Sequence, residues 1–132
     1  MTKNLMTMFL DNLYKIVDKA CNSGEAIISV RLMEDHRIYR AHFPGNPITP
    51  GACLLEMGRE LASMVLEKEL MLEKAENIKF LKGIHPGDTP DIVFRMLTEQ
   101  TEEGKWKVRT EVLSGESIMT KMTLWLKETI SV

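Results

Sequence analysis

The alternation of charged and uncharged residues is clearest in the last third of the chain. From Lys105 to Val112 charged residues alternate with uncharged ones, and in Ser117 to Lys127 the apolar residues Ile118, Met122, Leu124 and Leu126 fall on one side. A period of two residues is typical of a β-strand with one buried face. Turn signals at Glu103-Gly104 and Ser114-Gly115 separate these segments from each other and from a weaker alternation over Asp91 to Leu97. The three segments predict an antiparallel meander.

Further strands are predicted earlier in the chain. Glu25 to Met33 alternates cleanly and follows the turn signal Asn22-Ser23-Gly24. Asn77 to Lys82 is a shorter candidate, ahead of the turn Pro86-Gly87-Asp88. The periodicity of residues 13–20 does not distinguish a short helix from a strand.

A long helix is predicted from Gly51 to about Lys68 or Leu72. No proline interrupts this stretch, and residues 52–72 are mostly good helix formers. Its apolar residues cover a broad face, so we expect a sheet to bury most of the helix. The polar residues form a stripe along the helix, which could simply be its solvated face: Glu56, Glu60, Ser63 and Glu67. One early helix followed by antiparallel strands predicts an α+β fold, which we assign to a single domain over residues 1–132.

The candidate chemistry lies in the stretch from His42 to Glu56, HFPGNPITPGACLLE. Its three prolines exclude a helix as far as Pro50, so a rigid loop carries the histidine. The helix that follows begins with N–H groups that have no intrahelical partner. An imidazole, free amides and a carboxylate therefore occur close together in the sequence.

This stretch resembles the active-site segment of the beta-hydroxyacyl-acyl carrier protein dehydratases of fatty acid synthesis. The resemblance rests on HFPG-x-P-I-x-PG, on the spacing from His42 to Glu56, and on KFLKGIHPGDTP farther along the chain. Length and element order agree over nearly the whole chain. The resemblance implies the hotdog fold, in which an antiparallel sheet wraps around one long central helix, and a first strand from Tyr14. It also implies that His42 and Glu56 are catalytic residues contributed by opposite protomers of a homodimer, or of a trimer of such dimers.

The implied reaction removes water from a (3R)-hydroxyacyl thioester on acyl carrier protein or coenzyme A and needs no cofactor. It requires a base for the α proton, a group acting on the leaving hydroxyl and a donor for the enolate oxygen. His42 suits the base, Glu56 can act on the hydroxyl directly or through water, and the Gly51 N–H can polarise the thioester carbonyl. The other residues expected to contact the substrate are Phe43, Pro50, Leu54 and Leu55, with Met57 also lining an acyl tunnel along the dimer interface.

Three other hypotheses remain open. A thioesterase on the same fold would use Glu56, the amide and a water, and would not need His42. A non-catalytic acyl-binding or protein-binding module would explain why Glu60 stands where these dehydratases usually carry glutamine. A nucleophilic Cys53 in the first turn of the helix, with His42 as its base, is the last alternative.

The direction of the Glu56 pKa shift is not decided by the sequence, and two residues depart from the family pattern. Burial and a second carboxylate at Glu60 would raise the pKa of Glu56, whereas the helix dipole would lower it. Lys82-Gly83 is a second departure from the family pattern, which often has Arg-Pro before its second turn. We interpret the departures as marks of a specialised relative.

Composition and charge exclude several classes of function. The net charge of −2 and the absence of a basic tract give no attraction for nucleic acid. No apolar run is long enough for a membrane span, and the N-terminus lacks the cleavage site of a signal peptide. Neither Cys21 and Cys53 nor the three histidines show metal-ligand spacing, and two cysteines do not make a disulfide scaffold. We therefore expect no metal and a reducing cytoplasm.

Overall fold

Six strands and two helices succeed one another in the computed structural model, which describes residues 5–129. The predicted domain of residues 1–132 extends beyond the described residues at both ends. The elements are β1 Tyr14–Asn22, β2 Glu25–Leu32, α1 Ile38–Ala41, α2 Gly51–Leu66, β3 Leu70–Phe80, β4 Asp91–Gln100, β5 Trp106–Ser114 and β6 Ser117–Glu128. The strands form one antiparallel sheet in the order β1-β2-β4-β5-β6-β3. The predicted α+β fold is confirmed.

The predicted hairpin turns lie where the sequence placed them. Gly24, Gly104 and Gly115 adopt φ values of 78°, 81° and 59° in the turns between neighbouring strands. These left-handed values favour glycine, because a Cβ would clash with the backbone there. The meander β4-β5-β6 is confirmed, and β1 is a strand from Tyr14, as the resemblance implied.

Helix α2 ends at Leu66, earlier than either predicted end. Glu67 adopts the left-handed conformation with φ 53° and closes the helix. The Ser63 hydroxyl then accepts the N–H of Leu70, the first residue of β3, at 3.2 Å. β3 therefore starts well before the predicted segment 77–82, because pairing with β6 outweighs helix propensity over residues 70–76. The short helix α1 was not predicted either.

Helix α2 packs against the sheet through fully buried side chains that include Met57 and Leu61. Gly58 lies where the helix comes closest to β6, since a Cβ there would be 2.8 Å from Cδ1 of Leu124. A glycine inside a helix costs about 0.5–1 kcal/mol relative to alanine. The close approach of helix and sheet explains why glycine occupies this position.

The edges of the sheet are β1 and β3. Edge strands present unpaired backbone groups and are usually covered or blunted in soluble proteins. β3 carries the exposed side chains of Met71, Ile78 and Phe80, and the exposed Leu81 follows it. An edge lined with large apolar side chains is typical of a surface that another chain covers.

Candidate active site

His42 lies at the start of a loop whose backbone is closed on itself. The N–H of Ile48 donates to the C=O of His42 at 2.9 Å, and the N–H of Asn46 donates to the C=O of Phe43 at 2.9 Å. Gly45 has a φ of 77° in the turn between them, and the peptide bond from His42 to Phe43 is cis. The exposed imidazole of His42 meets the exposed Phe43 ring edge to face, with 5.7 Å between the ring centroids. The non-helical loop predicted from the prolines is confirmed.

This loop is anchored to the segment that follows β3. The N–H of Thr49 donates to the C=O of Ile84 at 2.8 Å, and Nδ1 of His85 lies 3.1 Å from the C=O of Pro47. The buried Thr49 hydroxyl pairs with the Tyr39 hydroxyl at 2.9 Å. His85 therefore holds the loop in place and does not join His42 as a second acid–base group.

Gly51 begins α2 directly after Pro50, whose extended backbone, φ −61° and ψ 145°, ends the loop. No side chain caps this helix N-terminus. A Cβ on Gly51 would lie 2.3 Å from Cζ of Phe80, so a close approach of the Phe80 ring requires glycine here. The N–H of Cys53 in the first turn donates to the C=O of Pro50 at 3.0 Å. The N–H of Gly51 precedes it at the start of the helix, where backbone donors have no intrahelical acceptor, and this leaves the proposed role of the Gly51 amide open to test.

Glu56 lies on the second turn of α2 and is held by Arg59. Nε and Nη2 of Arg59 donate to Oε1 and Oε2 of Glu56 at 3.0 and 2.8 Å. Burial acts to raise the pKa of the Glu56 carboxyl, but the hydrogen bonds of Arg59, the hydrogen bond with Glu60 and the charge of Arg59 outweigh it and hold the pKa below its usual value. The direction of the Glu56 pKa shift, which the sequence left open, is therefore downward, and the ion pair with Arg59 contributes to it.

Glu60 is fully buried, so the polar stripe of α2 is not a solvated face. Its Oε2 accepts the N–H groups of Met8 and Phe9 at 2.8 and 3.0 Å. Its Oε1 accepts the N–H of Leu10 at 3.0 Å and the hydroxyl of Tyr14 at 2.9 Å. The carboxylate thus pins the N-terminal segment, residues 6–10, onto the helix.

The two carboxyls of α2 are shifted in opposite directions. Burial raises the pKa of Glu60, the neighbouring Glu56 adds to the rise, and the N–H donors of Phe9 and Met8 oppose it. The second carboxylate at Glu60 was expected from the sequence to raise the pKa of Glu56, but its hydrogen bond with Glu56 lowers that pKa instead. Arg59 lowers it as well, because its cation lies on Glu56.

An open cleft of about 460 Å³ lies beside Glu56, and we refer to it as the Glu56 cleft. Its walls come from the N-terminal segment, α2, the start of β3 and the end of the described chain: Met6, Thr7, Met8, Glu56, Arg59, Glu69, Leu70, Met71 and Thr129. The Met6 C=O accepts Nη2 of Arg59 at 2.8 Å, and the Met6 N–H donates to Glu69 Oε2 at 2.9 Å. Charged and apolar groups share these walls, so the cleft suits a ligand that has both a polar and an alkyl part.

Within residues 5–129, no hydrogen bond or ion pair joins Glu56 to His42, and Glu56 is bonded to Arg59 instead. The walls of the Glu56 cleft do not include His42. Among the expected substrate contacts, Phe43 is exposed, Pro50 and Leu55 are half-buried, and Leu54 lies in the core.

The structure gives no support to a cysteine nucleophile. Cys53 is buried in the core, and burial raises the pKa of its thiol, which disfavours the thiolate that such a nucleophile needs. The described part of the chain contains no cluster of three His, Cys, Asp or Glu side chains that could hold a metal ion. In the same range, no helix has the length and apolar character that a membrane span requires.

Comparisons with known proteins identify the family. The model of the ApeI-like family, described as ApeI dehydratase, matches residues 18–119, a range that includes both His42 and Glu56. The chain belongs to the ApeI-like dehydratase family. A related curated protein is the 3-hydroxyacyl-[acyl-carrier-protein] dehydratase FabZ of Rickettsia bellii, 31% identical over 100 residues that span 68% of each chain.

Solved structures confirm the hotdog fold of this ApeI-like dehydratase family member. A chain of the dehydratase heterocomplex ApeI:P from Xenorhabdus doucetiae superposes with a TM-score of 0.68 at 17% identity, covering 85% of this chain and 96% of that one. The putative thioesterase YhdA from Lactococcus lactis superposes with a TM-score of 0.65 at 12% identity, covering 94% of this chain and 100% of that one.

One departure of this member of the ApeI-like dehydratase family from the expected motif now has a structural explanation. Glu60, in place of the usual glutamine, supplies two acceptor oxygens to four donors. At the second departure, the N–H of Lys82 donates to the C=O of Met119 at 3.1 Å. Nothing in the structure explains the glycine at position 83.

Arg59 is the functional candidate that sequence reasoning missed. The signal was present, because Glu56 and Arg59 are three residues apart, a spacing that makes side chains neighbours on a helix. Attention to the four-residue spacing of Glu56 and Glu60 hid it. The bonds of Arg59 to the C=O groups of Leu70 and Met6 were not predictable, since they depend on how the chain returns to the helix.

Proposed function

We propose that this chain removes water from a (3R)-hydroxyacyl thioester, carried on acyl carrier protein or coenzyme A, to give the trans-2-enoyl thioester. The observation that carries the proposal is that a dehydratase-family chain holds an exposed imidazole on a closed loop and a fixed carboxylate beside a cleft. Fatty acid synthesis or a related lipid or polyketide route in a reducing cytoplasm is the expected setting. The free cysteines Cys21 and Cys53 are compatible with that setting.

The three candidate groups supply complementary parts of an elimination. A neutral His42 takes the proton from the carbon next to the thioester carbonyl. The Gly51 N–H donates to the carbonyl oxygen, where negative charge develops as the proton leaves. Glu56 acts on the leaving hydroxyl, directly or through a water. Phe43, Pro50, Leu54 and Leu55, with Met57, remain the proposed contacts to the acyl chain.

We further propose that two chains share each active site. The proposal is supported by the exposed apolar edge at β3 and by the walls of the Glu56 cleft, which do not include His42 of the same chain. Phe80 connects the two observations, because its ring packs over Gly51 at the helix N-terminus and is still 54% exposed. A second copy pairing at this edge would cover that ring and bring its own catalytic groups to the site. The expected assembly is a homodimer or a trimer of such dimers.

Hydration of crotonyl thioesters, followed by loss of the enoyl absorbance, tests the proposed activity in the reverse direction. Both the acyl carrier protein thioester and the coenzyme A thioester are assayed. We expect His42→Ala and Glu56→Gln to lose about 10²-fold or more in rate, whereas His36→Ala, at a histidine outside the site, keeps it. Full activity in both site variants would remove the assignment.

Refolding a mixture of the two inactive variants tests the shared site. If His42 and Glu56 come from opposite chains, a mixed dimer of His42→Ala and Glu56→Gln contains one intact site. Activity should therefore reappear after the variants are unfolded and refolded together. An active monomer in sedimentation, or no recovery in a mixture with confirmed mixed dimers, would contradict the shared-site arrangement.

A thioesterase is the second candidate, and the ion pair at Glu56 is the observation that favours it. A carboxylate held in its charged form by Arg59 can accept a proton from water, which thioester hydrolysis requires. Release of free thiol that depends on Glu56 but persists in His42→Ala would establish this alternative. Enoyl hydration that depends on both residues would exclude it.

A further inference from the structure

The Arg59 side chain is held by more hydrogen bonds than those of its ion pair with Glu56. In addition to the two bonds to Glu56, its Nη1 donates to the C=O of Leu70 at 2.7 Å and its Nη2 donates to the C=O of Met6 at 2.8 Å. The Arg59 side chain is only 13% exposed, and Glu69 adds a longer ion pair at 3.6 Å. The helix, the N-terminal segment and the start of β3 therefore hold the guanidinium in one orientation.

This geometry occupies both oxygens of Glu56 with charge-assisted donors. A proton on Glu56 would replace one of those two hydrogen bonds by a repulsive contact between donors. The other titratable groups around the pair are Glu60 on α2, Glu69 before β3, and Tyr14 on β1. The N-terminal wall, residues 6–8, and the β3 wall contribute only Met6, Thr7, Met8, Leu70 and Met71, none of which titrates.

We propose that Arg59 is a positioning residue that keeps Glu56 ionised through the reaction, so that the proton leaving with the hydroxyl comes from His42. The inference rests on the proposed dehydratase function. Glu56 then accepts a hydrogen bond from the substrate hydroxyl and makes that oxygen a better proton acceptor. His42 is both the base and the acid.

The steps of this reaction balance without a co-reactant. First the bond from the α carbon to hydrogen breaks, a nitrogen of His42 gains the proton, and the electron pair moves onto the thioester oxygen, facing the Gly51 N–H. Then the electron pair returns, the α,β double bond forms and the bond from the β carbon to oxygen breaks. The imidazolium gives its proton to the departing oxygen, so that one water leaves and His42 is neutral again.

The pH dependence of kcat/KM separates this arrangement from one in which Glu56 donates the proton. Arg59→Gln removes the cation but retains a hydrogen-bond donor, so burial should raise the pKa of Glu56 in this variant. Because His42 must also be neutral to act as the base, we expect the acid limb of its profile to become steeper, with about a further tenfold loss of rate for each unit by which the pH lies below the new Glu56 pKa. Arg59→Lys, which keeps the charge, should restore most of the wild-type profile.

The matched control is Arg31→Gln, because Arg31 also binds both oxygens of a carboxylate. Its Nε and Nη2 lie 2.8 and 3.1 Å from the oxygens of Asp91 on the exposed surface. We expect no change in its pH profile. A wild-type profile in Arg59→Gln, or a rate that rises as the pH falls, would overturn the inference.

A carbon-13 NMR titration of labelled glutamate carboxyls gives a readout that does not depend on activity or on the folding of Arg59→Gln. The resonance of Glu56 is assigned by its absence in Glu56→Gln. In the wild type we expect it to titrate below the ordinary glutamate range, and in Arg59→Gln above that range.

Titration of wild-type Glu56 near neutral pH would overturn the inference even if Arg59→Gln fails to fold. A wild-type protein that hydrates no thioester yet shows the low Glu56 titration would instead refute the proposed function alone.

Discussion

Two irregular segments lie against α2, and they are held by different means. The loop of residues 42–50 is closed by its own backbone bonds and contains three prolines. The N-terminal segment, residues 6–10, contains no proline and is held by side chains of the helix. Its main acceptor, Glu60, is 50 to 52 positions away in the sequence. Prolines and its own backbone bonds stiffen the loop, whereas the N-terminal segment is held mainly by side chains of the folded helix.

This difference shows why a single buried carboxylate matters for the Glu56 cleft. The N-terminal segment forms one wall of the cleft, and Arg59 binds that wall and Glu56 at the same time. Glu60 therefore contributes to the site without facing a ligand. Changing the loop should affect His42, whereas changing the N-terminal segment should affect Glu56.

Replacement of Glu60 by alanine should produce the largest effect. The change leaves three backbone N–H groups and the Tyr14 hydroxyl without their acceptor in a buried place. We expect the free energy of unfolding to fall by about 3–5 kcal/mol, as for loss of one partner of a buried charged pair. Chemical denaturation measures the loss, and faster hydrogen exchange at residues 8–10 should locate it.

The control for this change is Glu67→Ala, at an exposed glutamate beyond the end of the same helix. Its effect should stay within about 0.5 kcal/mol. A loss below about 1 kcal/mol in Glu60→Ala would show that the N-terminal segment is not held as described.

The next effect in size concerns the loop. Thr49→Val keeps the shape of the side chain but leaves the buried Tyr39 hydroxyl without its partner. We expect a loss of about 1–2 kcal/mol in the free energy of unfolding. Adding Tyr39→Phe should recover much of that loss, because the double variant leaves no polar group unpaired. A double variant that is worse than the sum of the single ones would contradict this explanation.

The same contrast explains what could be predicted from the sequence. The loop was predictable because proline acts on its own backbone, and so were the hairpins, whose turn residues are local. The hotdog fold and the family were predicted from the resemblance of HFPG-x-P-I-x-PG and KFLKGIHPGDTP, with the spacing from His42 to Glu56, to a known family. The burial of Glu60 was not, because its partners lie in a segment with no signal of its own. The end of α2 was missed for a similar reason, since pairing with β6 and not local propensity starts β3 at Leu70.

The two carboxyls of α2 should affect stability with opposite pH dependence. The pKa of Glu56 is lowered in the folded protein, so its contribution is present above the ordinary glutamate pKa and is lost as the pH falls through the folded value. The pKa of Glu60 is raised, so its contribution is present below the ordinary value and is lost as the pH rises through the folded value.

Melting temperatures of the wild type, Glu56→Gln and Glu60→Gln between pH 3 and pH 8 measure this difference. The gap between the wild type and Glu56→Gln should widen as the pH rises through the acid range. The gap to Glu60→Gln should narrow at higher pH, as the pH rises from the ordinary glutamate value through the raised pKa of Glu60. If the melting temperatures of the two variants changed with pH in parallel, Arg59 would not be shifting the pKa values of Glu56 and Glu60 apart.

The smallest effect is expected from the prolines that stiffen the loop. Pro44→Ala should lower the free energy of unfolding by only about 0.4–1 kcal/mol, mainly because the unfolded chain gains conformational freedom. Pro90→Ala, in the segment before β4, should cost a similar amount and serves as the control. Only Pro44 lies beside His42 and Phe43, so only Pro44→Ala should also lower kcat, because the imidazole is then held less firmly. Equal kcat values in the two variants, measured at matched stability loss, would mean that backbone bonds such as that from Ile48 to His42 hold the loop without help from proline.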